Sequence, residues 1–116
     1  MSHVIKILVV DDEPSIVAAL RRLLGRKGFH VDVASGGQEA LDLLETSSPD
    51  VILSDFKMPG MNGADFLAAA AHRLPDVRCI LMSGYTQQLT TVDTLFVPKP
   101  WDEAELLRLC RLGRLR

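Results

Sequence analysis

The sequence predicts a doubly wound α/β fold: five parallel strands in the order 2-1-3-4-5, with helices on both faces. Strand-like and helix-like segments alternate from end to end, with no linker, repeat or low-complexity tract between them. The first strand run is apolar almost throughout, as in strands covered on both faces. The length, 116 residues, matches one domain spanning residues 1–116 with a single sizeable core.

Val4 to Val10 is the first strand, a nearly unbroken β-branched run. Asp12 then stands where a helix N-cap belongs, with Pro14 near the first helical position. The helix sets Ile16, Leu20, Leu23 and Leu24 on one face and ends between Gly25 and Gly28. Phe29 to Ala34 alternates, with Phe29, Val31 and Val33 on one side and His30 and Asp32 on the other, which suits an edge strand. Ser35 and Gln38 form a capping box before the stripe of Ala40, Leu41 and Leu44.

Val51 to Ser54 is the third strand, with Asp55 at its end. Pro59, Gly60, Asn62 and Gly63 make a turn before a helix carrying Phe66, Leu67, Ala70 and Leu74, which Pro75 closes. Val77 to Met82 and Leu95 to Val97 are the fourth and fifth strands. A last helix opens at Asp102 with Glu105 as its capping partner and buries Leu106, Leu109 and Cys110.

Composition excludes several classes of partner. Thirteen basic against fifteen acidic residues give a net charge of -2, with no excess for a nucleic-acid footprint. Arg111, Arg114 and Arg116 read as a solvated helix end. No apolar run reaches the ~18 residues of a membrane span, and no charged segment leads into a signal-like stretch. Cys79 and Cys110 are single and far apart in apolar surroundings, which suits buried thiols in a reducing cytoplasm.

In a sheet of this order the functional site lies beyond the carboxyl ends of the strands. Asp11, Asp12 and Glu13 follow the first strand, Asp55 the third, Ser83 the fourth and Lys99 the fifth. Singly, Asp12 reads as an N-cap, Asp55 as a loop residue, Ser83 as a turn hydroxyl and Lys99 as a solvated lysine. Together, on successive strand ends, they describe a site. Crowded carboxylates repel unless a cation joins them, and oxygen ligands with room for water suit Mg²⁺ or Mn²⁺. A carboxylate beside such an ion can attack a phosphoryl group, whose oxygens Lys99 and the Ser83 hydroxyl can compensate.

The sequence resembles the receiver domains of two-component response regulators, which are CheY-like and share the flavodoxin-like fold. The resemblance rests on ILVVDDEP (Ile7 to Pro14), VILSDFKMPGMNG (Val51 to Gly63), ILMSGY (Ile80 to Tyr85) and FVPKPW (Phe96 to Trp101), in the family's order across nearly the whole chain. It implies that Asp55 accepts a phosphoryl group from a phosphohistidine on a histidine kinase or histidine phosphotransfer protein. It implies that Asp12 ligates Mg²⁺ directly and Asp11 through a metal-bound water, with Asp55 and the Lys57 backbone carbonyl completing the set. It further implies that Ser83 is the switch hydroxyl, Phe96 the aromatic switch, Lys99 the phosphate-pairing lysine, and Lys99–Pro100 a cis peptide bond.

The chain departs from the family between Ser83 and Phe96. Receivers place a full helix there, the family's fourth, but Tyr85 to Thr94 leave room for about one helical turn or none. Thr86, Thr90, Thr91, Val92 and Thr94 are also poor helix formers. We expect that helix to be shortened or absent, which would damage the family's common dimer contact and move signalling to another surface. The resemblance still allows a homodimer. Lys57 and Tyr85 occupy positions that control water access to the acyl phosphate, so the Tyr85 ring is expected to slow its hydrolysis. Trp101 is expected to staple the last helix.

The expected activity is therefore a signalling switch with Mg²⁺-dependent autophosphorylation and autodephosphorylation, rather than metabolic catalysis. A receiver-like docking module independent of phosphate is the rival, favoured by the shortened helix and opposed by the complete acidic site. A flavodoxin-like cofactor binder would share the fold. This chain has no phosphate-cradling loop after the first strand, where Asp11, Asp12 and Glu13 would repel a phosphate.

Overall fold

The computed structural model describes residues 3–83 and 93–114. The described elements run β1 (Lys6–Val10), α1 (Pro14–Arg26), β2 (His30–Ala34), α2 (Gly37–Leu43), β3 (Val51–Asp55), α3 (Gly63–Arg73), β4 (Arg78–Ser83), β5 (Thr94–Pro98) and α4 (Glu103–Arg111). All strands pair in parallel, in the order β2-β1-β3-β4-β5. This is the predicted sheet.

The continuous apolar runs split between two cores because successive side chains leave a strand on opposite faces. Ile7, Val9, Val51, Leu53, Ile80, Met82 and Val97 pack with Leu20 and Leu24 of α1 and with Leu106, Leu107, Leu109 and Cys110 of α4. Leu8, Val10, Ile52, Cys79 and Leu81 pack with Ala40 and Leu41 of α2 and with Phe66, Leu67 and Ala70 of α3. Each fully buried aliphatic side chain contributes about 1.5–3 kcal/mol, so neither face can be left open. Trp101 packs partly buried against the α1/α4 core, as a staple would. Both thiols are buried, as expected, and burial pushes Cys79 up to about 11 and Cys110 up to about 12.

Several local expectations are corrected. β1 opens at Lys6, where the ladder to His30 begins, and Val4 is 55% exposed. The residue before α1 is Glu13 rather than Asp12, with Pro14 at the start of the helix. No side-chain hydrogen bond caps α1; Asp11 Oδ1 instead accepts the amide of Glu13, which precedes the helix, at 2.9 Å. Before α2, Ser35 pairs with Glu39 and not Gln38. Its amide and hydroxyl both donate to Glu39 Oε1, at 2.6 and 2.8 Å, while Gln38 turns to Asp42. Asp102 caps α4 through the Ala104 amide, but Glu105 is drawn away into a two-pronged pair with Arg108. A guanidinium fork competes well for a carboxylate one turn away.

Arg114 is not simply a solvated helix end. Its Nε lies 3.1 Å from Asp50 Oδ1, and Asp50 also accepts from the Lys6 amide and contacts His3, both at 2.9 Å. Asp50 thus ties the first and last described segments together at the sheet edge opposite Asp55. The expected reduction of the helix between β4 and β5, and the side chain of Tyr85, fall in residues 84–92 and lie outside the described residues.

Candidate functional site: an acidic cluster closed by a lysine

Each site residue sits where a covered strand ends and its ladder bonds run out. Asp11 follows β1; its amide donates to Ala34 of β2 at 3.2 Å, and its side chain is buried. Asp12 is the next residue and is exposed. Asp55 ends β3, with residual exposure of 7%, and the Phe56 amide behind it donates to Met82 of β4 at 3.0 Å. Ser83 ends β4, buried, and its carbonyl accepts the Lys99 amide at 2.9 Å. Lys99 follows β5, and the Lys99–Pro100 bond is cis, as expected.

The carboxylate oxygens of Asp11, Asp12 and Asp55 come within 4.8 Å of one another. Lys99 Nζ lies 3.2 Å from Asp11 Oδ2 and 3.1 Å from Asp55 Oδ1, bridging the two buried members. A cleft of about 620 Å³ opens over them, lined by Asp12, Glu13, Asp55, Phe56, Lys57, Ser83 and Lys99.

The electrostatics of the pair are unequal. Burial raises the Asp55 carboxyl above the ordinary carboxylate range, and the Asp11 charge adds to this; Lys99 pulls it down without overcoming both. Lys99 is itself raised: burial works against its charge, but hydrogen bonds and attraction to Asp55 and Asp11 outweigh it. The two directions agree, since one ammonium serves two carboxylates: Lys99 gains from both, while Asp55 shares it with a like charge.

Three clustered carboxylates facing one ammonium still carry surplus negative charge. An all-oxygen donor set of this kind fits a hard divalent cation, and Lys57, exposed, lines the same cleft. Phe96 lies on β5, three residues before Lys99, and is 39% exposed.

Residues 7–111 match the family described as response regulator receiver domain. The chain belongs to this receiver family. Among curated relatives, it is 36% identical over 107 residues to the DNA-binding transcriptional regulator NtrC of Klebsiella pneumoniae, covering 87% of this chain and 23% of that protein. It is 38% identical over 114 residues to the transcriptional regulatory protein CpxR of Escherichia coli K12, covering 91% of this chain and 47% of that one. The receiver thus spans from about a quarter to about half the length of these relatives. Among solved structures, it is similar to the response regulator protein TrrA of Thermotoga maritima in complex with Mg²⁺-BeF, with a TM-score of 0.83 and 29% identity over 93% of this chain and 97% of that one.

The topology brings together Asp11, Asp12, Asp55, Ser83 and Lys99, all five expected at this edge of the receiver. Sequence reasoning missed two contributions. Phe56 lines the cleft without any chemical signature that would mark it. Ser54 bonds the Asp55 carbonyl and Gly63 packs closely against it, and their signal was present: a serine inside an apolar run and a glycine opening a helix. Among the described residues no helix is long and apolar enough to cross a membrane.

Proposed function

We propose that Asp55 is the phosphoacceptor of this receiver. A carboxylate oxygen of Asp55 forms a bond to phosphorus as the P–N bond of a partner's phosphohistidine breaks, and the imidazole leaves carrying the electron pair of that bond. The product is an acyl phosphate on Asp55. The observation that carries this reading is the convergence of three carboxylates and one lysine ammonium at a single sheet edge.

Asp11, Asp12, Asp55 and the Lys57 carbonyl would hold Mg²⁺ or Mn²⁺, which supplies positive charge against the phosphoryl oxygens as charge builds on them. Lys99, already paired with Asp55, moves from a carboxylate oxygen to a phosphoryl oxygen. The Ser83 hydroxyl turns inward to bond another, and Phe96, exposed on the neighbouring strand, is the aromatic switch. Lys57 and Tyr85 set the lifetime of the acyl phosphate.

The donor is a sensor histidine kinase or a histidine phosphotransfer protein, and residues 1–116 act as one receiver unit in the cytoplasm. The net charge of -2, with no excess of basic residues, argues that this unit does not itself bind nucleic acid. Incubation with acetyl phosphate and Mg²⁺ tests the proposal. Intact mass should show one added phosphoryl group in the wild type and none in Asp55→Asn or in excess chelator. Labelling that persists in Asp55→Asn would overturn it.

A further inference from the structure

β3 carries one residue that its apolar run does not explain. In VILSD, Ser54 is fully buried on the face that packs against α2 and α3, where Ile52 before it and Leu81 beside it are core residues. A buried hydroxyl costs free energy unless it is bonded, so its partner matters. The Ser54 hydroxyl donates to the backbone carbonyl of Asp55 at 2.9 Å.

The same carbonyl is closely approached by the start of α3. A Cβ at Gly63 would collide with the Asp55 carbonyl oxygen, and would stand 2.9 Å from the Asp55 carbonyl carbon and from Leu81 Cδ1. The close approach requires glycine. The next groups along are held too: the Phe56 amide donates to Met82 at 3.0 Å, and the Phe56 carbonyl accepts the Gly63 amide at 2.8 Å. Both peptides that follow the Asp55 Cα are therefore fixed, one by a side chain and one by the first turn of α3.

We propose that Ser54 is a positioning residue: its hydroxyl holds the Asp55 peptide against α3, and so sets where the Asp55 carboxylate and the Lys57 carbonyl stand for the cation. The inference rests on the reading of Asp55 as phosphoacceptor and metal ligand. Ser54 touches no reacting atom. It acts through the backbone it anchors, and Gly63 is the wall against which that backbone is anchored.

The test compares wild type, Ser54→Ala and Ser54→Thr by calorimetric Mg²⁺ titration, thermal melting, and amide spectra of the metal-free proteins. Loss of one buried hydrogen bond corresponds to roughly a three- to tenfold effect. Ser54→Ala should bind Mg²⁺ weaker by about that factor, and should shift the metal-free amide resonances of Asp55, Phe56 and Gly63. Ser54→Thr, which keeps the hydroxyl, should restore both. Wild-type Mg²⁺ affinity in Ser54→Ala, with only a lower melting temperature, would make Ser54 structural and overturn the proposal. A Ser54→Thr protein that melts like wild type yet binds as weakly as Ser54→Ala would overturn it as well. Failure of the wild type to bind Mg²⁺ at all would instead sink the underlying reading of the site.

Discussion

Replacing Lys99 by Met keeps the aliphatic stem and removes the one ammonium that bridges Asp11 and Asp55. At an effective dielectric of about 20, contacts of 3.2 and 3.1 Å each carry roughly 5 kcal/mol of gross attraction. Desolvation of the three groups and repulsion between the two carboxylates cancel most of it. Removing one partner of a buried pair typically costs about 3–5 kcal/mol. The Lys99 side chain keeps 21% of its exposure, so the lower end applies, about 3 kcal/mol. For a chain of this size that is roughly a 10 °C fall in melting temperature. The assay is thermal unfolding in chelator and again in saturating Mg²⁺. A divalent ion at the same carboxylates supplies the lost charge, so Mg²⁺ should recover at least half of the deficit. A Lys99→Met protein that melts like wild type in chelator, or whose deficit is unchanged by Mg²⁺, would show that the Lys99 ammonium does not offset the Asp11 and Asp55 charges.

Other outcomes follow from the same geometry. Asp50→Ala should cost about 1–3 kcal/mol, because the Lys6 amide loses its acceptor while the half-exposed His3 and Arg114 contacts add little; denaturant unfolding measures it. Burial works against the Asp50 charge, but the Lys6 amide, His3 and Arg114 together hold its carboxyl below the ordinary range. Its contribution is therefore present above the unfolded value and lost as pH falls through the folded one, and Asp50→Ala should show a flatter acid limb in stability against pH. Asp55 has the opposite sign. Its raised carboxyl lends stability as the acid, and this is lost as pH rises through the folded value. In chelator, Asp55→Asn should remove that fall in stability as pH rises above the ordinary carboxylate range, read from denaturant unfolding against pH. Cys79 and Cys110, buried and pushed up to about 11 and about 12, should react with a thiol reagent only at the rate of unfolding; prompt modification in native buffer would contradict their burial.

Much of this was legible from the residues. A strand covered on both faces has to be apolar at every position, and Ile7 to Val10 and Val51 to Leu53 meet that requirement. Once the strands and their parallel order follow, topology alone carries Asp11, Asp55, Ser83 and Lys99 to one edge. What escaped was decided by competition between near neighbours. Ser35 had acidic and amide groups within a turn, and the carboxylate of Glu39 won over Gln38 because a charged acceptor bonds more strongly. Glu105 had a cap to serve and an arginine beside it, and Arg108 took it. Asp50 shows the other limit. Its contacts with His3 and Arg114 join the two ends of the chain, and nothing local in the sequence marks them as neighbours. Ser54 was readable as a hydroxyl in need of a partner, but that the partner is the Asp55 carbonyl depends on the way β3 meets α3.

One carboxylate, Asp55, is proposed to take the phosphoryl group. Borohydride reduction of the acyl phosphate, followed by peptide mass spectrometry, locates it directly, since reduction converts a phosphorylated aspartate into homoserine. After acetyl phosphate and Mg²⁺, homoserine is expected at position 55, at no other acidic position, and only when Mg²⁺ is present. Homoserine at position 11 or 12, or its appearance at position 55 in excess chelator, would contradict it.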